Sequence, residues 1–334
     1  MSERLVCVLD AFAADPESAV GDIDLVDAEE LARIVAESGP SSAAVDTGAR
    51  TLATVFAEVV EEDPTAPALS LPADPEIGGE GTEIAYRELD ARSSRLARLL
   101  IGRGLGTGDV VAVAIPRSVE SVVAQWAVVK TGAAIAPVDP TRSDGQMPAG
   151  AGLGLTVAGT AANGGADGWL VVDERGVRDE LAAQPADPVT YADRLRPVGS
   201  ADPALVLPSR TFTNAELVER IGALRDRYEL TYESRSLAVG GVDIEALALE
   251  PLVVTATGAV VVVVPEGASS GTALDSVLYN EWVTHVHLPE ASLSTLEPGS
   301  LEDLAAVVVV DDAPDGLLEE WGAAHRLYRL ADLD

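Results

Sequence analysis

The stretch PALVLPSRTFTNAEL, residues 203–217, passes from a strand-like apolar run through a polar turn into the start of a helix. Nucleotide-handling α/β proteins place a phosphate loop at such a junction, because backbone N–H groups and the positive end of the helix face the anion there. The bend, Pro208, Ser209, Arg210, Thr211 and Phe212, holds neither glycine nor lysine. Glycine lets successive amides turn toward a phosphate with no Cβ in the way. The junction therefore reads as a degenerate phosphate loop. Arg210 is its one cation, a guanidinium able to grip an oxyanion in two places, and with no loop around it phosphate binding is not expected. The whole chain contains a single lysine, Lys130; every other basic side chain is arginine.

Other constellations are weaker. His285 and His287 stand two apart in a strand-like run and face one side. A zinc site would need a carboxylate or His325 to complete it, and ordinary packing is expected. Ser209 as a nucleophile lacks a base close in sequence. Asp311 and Asp312 follow an apolar run at what would be the carboxyl end of a strand, where α/β proteins place ligands, and read as a solvated strand end. Gly150-Ala151-Gly152-Leu153-Gly154 resembles a dinucleotide fingerprint but neither follows a strand nor opens a helix, so it reads as a loop around the short strand LTVAG. No catalytic, cofactor-binding or metal-binding residue is assigned.

The elements that must position these residues belong to a globular chain. It has 334 residues, 47% of them hydrophobic, and a mean hydropathy of +0.19, enough for a substantial core. A formal charge of −33, from 55 acidic and 22 basic residues, argues against nucleic acid or an anionic membrane as partner. One cysteine, Cys7, rules out an internal disulfide and fits a cytoplasmic location. The longest apolar stretch, Pro251 to Pro265, is shorter than the roughly 20 residues that span a bilayer.

Residues 1–50 read as a connector with an amphipathic start and a capped short helix, Asp27 to Glu30 forming the cap. From Thr51 helices alternate with apolar strands such as VVAVAIP (110–116) and AIAPVD (134–139), the pattern of a doubly wound α/β sheet. A first lobe over 51–200 and a second over 201–334 are expected. In the second, a helical segment from Asp243 meets Pro251, at a cost of about 3 kcal/mol if the helix continues.

Residues 84–140 resemble the opening stretch of the adenylation domains of nonribosomal peptide synthetases, within the acyl-adenylate-forming superfamily. Tyr86, Glu88 and Leu89 match its Y-x-E-L helix start, and Val129 to Asp139 match its L-K-A-G-x-A-Y-x-P-x-D element. Residues 1–50 look like the tail of a condensation domain and its linker. The resemblance implies the N-terminal subdomain of an adenylation domain, two stacked doubly wound sheets, with the C-terminal subdomain absent. It also implies a family reaction in which ATP and magnesium activate an amino-acid carboxylate, chemistry that rests on electrostatic grip of the departing pyrophosphate.

Against that pattern the sequence departs repeatedly. Where the family has a Ser/Thr/Gly-rich loop ending in Pro-Lys-Gly, this chain has residues 208–212. Asp243 falls on the aspartate that would pair with the substrate's ammonium, a vestigial amine site, but the phenylalanine before it has become Val242. Ala331, Asp332, Leu333 and Asp334 replace the motif that carries the adenine-stacking aromatic and the magnesium carboxylate. The expectation is a catalytically inactive pseudo-adenylation domain, ATP and magnesium binding lost, serving as a structural or docking element beside a condensation domain and a carrier protein. The alternative is an adenylating half completed by a separate C-terminal subunit.

Overall fold

A computed structural model describes residues 50–73, 81–141, 147–160, 168–239, 244–264 and 267–330, all within the compact unit Gly48–Asp334. Residues 1–49 of the expected linker, Asp243 and residues 331–334 lie outside the described residues.

In chain order the elements are α1 (Leu52–Glu62), β1 (Pro67–Leu71), β2 (Thr82–Ala85), α2 (Tyr86–Gly102), β3 (Val110–Ala114), α3 (Val119–Thr131), β4 (Ala134–Pro137), β5 (Ala151–Thr156), β6 (Trp169–Val171) and α4 (Arg175–Ala182). There follow β7 (Pro203–Val206), β8 (Thr211–Thr213), α5 (Asn214–Tyr228), β9 (Arg235–Ala238), α6 (Ile244–Ala256), β10 (Val260–Val262), α7 (Gly271–Asn280), β11 (His285–Leu288), α8 (Glu290–Leu293), β12 (Ala306–Val309), α9 (Asp315–Ala324) and β13 (Arg326–Arg329). They build two sheets, one ordered β13-β12-β11-β9-β10-β1-β2 and the other β6-β5-β3-β4-β7-β8. Within each, the pairs are parallel except β1 with β2 and β7 with β8, both at an edge. This is the expected α/β architecture of two sheets. Sheet membership crosses the expected boundary at residue 200: β1 and β2 join the strands after β8, while β7 and β8 close the sheet begun by β3.

The main core draws on both sheets, with Leu69, Val261 and Val308 from one and Val111, Ile135 and Leu205 from the other, all buried together with faces of α1, α2, α3, α5 and α6. Helix α6 touches β4 of one sheet and β10 of the other. It runs on through Pro251, because Leu249, Leu252, Val253 and Val254 are buried around the proline and their burial outweighs the lost backbone bond. A second core, around Leu274, Val286, Val307 and Trp321, seats α7 and α9 on the seven-stranded sheet.

Local signals explain the helix that carries the family-like motif. Ser118 and Ser121 form a reciprocal cap at the start of α3, and Gly132 ends it at φ 87. The Gly150–Gly154 run is not the expected loop: β5 begins at Ala151 and runs through it. Gly154 lies under the indole of Trp169, where an added Cβ would come within 2.2 Å of the ring. The glycine serves packing between strands, not a phosphate.

Candidate functional site

The junction at 203–217 is built differently from the strand-bend-helix expected of it. Thr211 to Thr213 form a strand antiparallel to β7, with Leu205 opposite Phe212 and Val206 opposite Thr211. The turn between them is tight, closed by the Leu207 N–H donating to the Arg210 carbonyl at 2.8 Å. Pro208, Ser209, Arg210 and Thr211 are exposed, whereas Phe212 is buried. The Arg210 guanidinium lies over the Phe212 ring, 3.8 Å from its centroid, and so lies along its own hairpin.

The start of α5 is where an anion would sit. Its first three amides all have partners: Asn214 N–H donates to the Asp202 carbonyl at 2.9 Å, Ala215 N–H to the Ser200 carbonyl at 2.9 Å, and Glu216 N–H to Thr213 Oγ1 at 3.3 Å. Glu216 returns a carboxylate to this end, accepting from the Thr213 N–H at 2.8 Å and from its hydroxyl at 3.0 Å. The bond from the Thr213 N–H, more than any other influence, holds this carboxyl below its ordinary value. The positive end of the helix therefore already holds a negative charge supplied by the chain.

Lys130 is buried in the α2–α3 interface. Its ammonium donates to Asp90 Oδ1 at 2.7 Å, the Asp90 carbonyl at 2.8 Å, Ser93 Oγ at 2.6 Å and Ser94 Oγ at 3.0 Å. Burial pushes its pKa down to about 8, with the Asp90 charge opposing. Four acceptors and no solvent face make it a structural cation. Around it Phe56 stacks on Trp126 with centroids 4.0 Å apart, and the Tyr86 hydroxyl donates to the Ala259 carbonyl at 2.7 Å, tying α2 to the strand after α6.

A second buried polar group was not signalled by any motif. Arg117 donates to Glu250 Oε2 through both terminal nitrogens, at 2.9 and 2.8 Å, and Ser236 Oγ donates to Glu250 Oε1 at 2.8 Å. Nearby, His287 stands edge-on to Tyr228 and lines a gap of about 30 Å³ with Glu250 and Leu330, room for about one water. Burial drives the His287 pKa down to about 4; Glu250 opposes this, and Arg117 and His285 add to it. Its one sequence signal was Glu250 itself, a carboxylate amid the apolar run of α6.

The remaining candidates separate. His285 has Nε2 at 2.9 Å from the Tyr228 carbonyl, and His325 has its two nitrogens against the carbonyls of Leu304 and Pro298. Among the described residues no three His, Cys, Asp or Glu converge as metal ligands. Asp311 accepts the Glu290 N–H at 2.7 Å and caps the short helix α8.

The sequence pattern described as AMP-binding enzyme matches residues 56–149. The chain is 31% identical to a probable non-canonical nonribosomal peptide synthetase, CymA, of Salinispora arenicola, over 98% of this chain and 4% of that protein. It is 29% identical to novobiocin biosynthesis protein H of Streptomyces niveus, over 87% of this chain and 50% of that one. The chain thus spans half or less of either relative. Among solved structures it is similar to the nonribosomal peptide synthetase FmoA3, with TM-score 0.69 and 22% identity over 97% of this chain and 35% of that one. The N-terminal subdomain of Klebsiella oxytoca NpsA, solved in complex with 3-hydroxyanthranilyl-AMSN, superposes with TM-score 0.67 and 24% identity, over 86% of this chain and 74% of that one.

Proposed function

The chain belongs to the adenylation-domain family of AMP-binding enzymes, and from that premise we propose that it no longer adenylates and acts as a scaffold within a nonribosomal peptide synthetase. The family's chemistry needs donors aimed at the departing pyrophosphate. The single observation that carries the reading is the state of the junction at 203–217. Its turn is too short to wrap a phosphate, and the first three amides of α5 are taken by Asp202, Ser200 and Thr213. Glu216 adds a like charge where the phosphate would lie. Lys130 is committed to Asp90 and its serines and does not substitute.

In this reading the buried groups that remain serve the scaffold, and its partners are a condensation domain reached through residues 1–50 and a carrier protein. ATP and magnesium are not bound. Amino-acid-dependent exchange of pyrophosphate into ATP, run over a panel of amino acids and aryl acids, is expected to stay at background; exchange by the chain alone would overturn the proposal.

A second reading, an adenylating half completed by a separate C-terminal subunit, is favoured by the NpsA complex, in which an N-terminal subdomain carries a ligand. Exchange that appears only on adding such a subunit would select it.

A further inference from the structure

We propose that the cavity among helices α2, α3 and α4 binds a small organic carboxylate with an apolar body. The cavity measures about 320 Å³, at the lower end of small-molecule sites. It lies by the β6 edge of the six-stranded sheet, whereas the junction at 203–217 lies at the opposite, β8 edge, so the two sites are distinct. Its floor is apolar: Leu96 and Val119 are buried, and Val123 and Leu181 are half-buried beside them.

Its cations are guanidiniums with capacity to spare. Arg95 lines the cavity, and its Nε is buried with no acceptor among the described residues. A buried donor of that kind calls for an unseen partner. Arg178 lines it from α4 and has no ion pair among the described residues, in a chain where acids outnumber bases by 55 to 22. Arg92, also at the rim, is already paired with Glu88. Two carboxylates share the cavity: Asp173, which accepts the Ala158 N–H at 2.8 Å, and Glu120 in the first turn of α3. They set the ligand's charge. The Arg95 Nε and the Arg178 guanidinium are the donors left to hold one carboxylate group, while Asp173 and Glu120, which leave the cavity near neutral, disfavour a phosphate dianion.

Calorimetry of the full chain with three probes sharing a phenylalkyl body tests this: 4-phenylbutyrate, 4-phenyl-1-butanol and 4-phenylbutyl phosphate. Saturable binding of the carboxylate is expected, with the alcohol and the phosphate weaker by about tenfold or more and Arg178→Gln weakening the carboxylate by a similar factor, as loss of a charge-assisted pair implies. Arg178 is exposed, so that variant keeps its melting temperature; Arg95→Gln is a second variant, read alongside its own melting curve. No saturable heat with 4-phenylbutyrate, equal binding of the alcohol, or unchanged affinity in Arg178→Gln would each overturn the proposal. Because the probes contain no nucleotide, failure here leaves the reading of the 203–217 junction untouched.

Discussion

Replacing Lys130 with methionine removes the ammonium from the α2–α3 interface and leaves the Asp90 carboxylate, whose residue is 8% exposed, without its cation. Breaking one half of a buried ion pair costs about 3–5 kcal/mol, because the remaining charge keeps its desolvation penalty and loses its partner. With a urea dependence of about 2–3 kcal/mol per molar, Lys130→Met is expected to lower the urea midpoint by about 1–2 M. A double variant, Lys130→Met with Asp90→Leu, removes both charges and is expected to recover most of that loss.

The same group gives a pH signature. Its pKa of about 8 lies below the ordinary 10.5. The unfolded chain therefore binds the proton more tightly, and stability of the unsubstituted protein relative to Lys130→Met rises between pH 8 and 10.5. The rise is about 3 kcal/mol at most, from about 2.5 pH units at 1.36 kcal/mol each. Below pH 8 that contribution is lost. A Lys130→Met protein within about 1 kcal/mol of the parent, or a difference that falls across that window, would refute a structural, desolvated Lys130.

His287 titrates in the opposite range. Its folded pKa of about 4 lies below the ordinary 6.5, so its contribution is complete above pH 6.5 and is lost as pH falls toward 4. Urea unfolding of His287→Leu across that window is expected to lose less stability than the parent, by up to about 3 kcal/mol. At Gly132 an alanine Cβ would meet Val198 Cγ2 at 2.3 Å and Thr107 Oγ1 at 2.6 Å, with φ at 87. Gly132→Ala is expected to cost about 2–4 kcal/mol from clash and left-handed strain, read as a drop in thermal midpoint.

The sequence made the sheets legible where apolar runs were continuous and bounded by proline or glycine, as at Val110–Ala114 and Ala134–Pro137. It concealed β1, which opens on Pro67 and is recognisable only through its partners β10 and β2. Strand β8 was hidden for the same reason: three residues, two of them threonine, become a strand because β7 lies alongside. Helix α4 was also missed; its apolar face is only Val177 and Leu181, one turn apart, too short a run to stand out from the polar residues around it. At the junction the missing glycines were visible in the sequence, but the partners of the first amides of α5 were not, because Asp202 and Ser200 reach them through backbone carbonyls. Side-chain identity says nothing about such bonds. The Arg117–Glu250 pair was hidden too, its members 133 residues apart.

Calorimetry of the full chain with magnesium and ATP is the most direct measurement of the central claim. No saturable heat up to millimolar nucleotide is expected, since the amides of Asn214, Ala215 and Glu216 are occupied and Glu216 repels the triphosphate. Micromolar binding that shifts the amide resonances of Ser209 to Glu216 would contradict it.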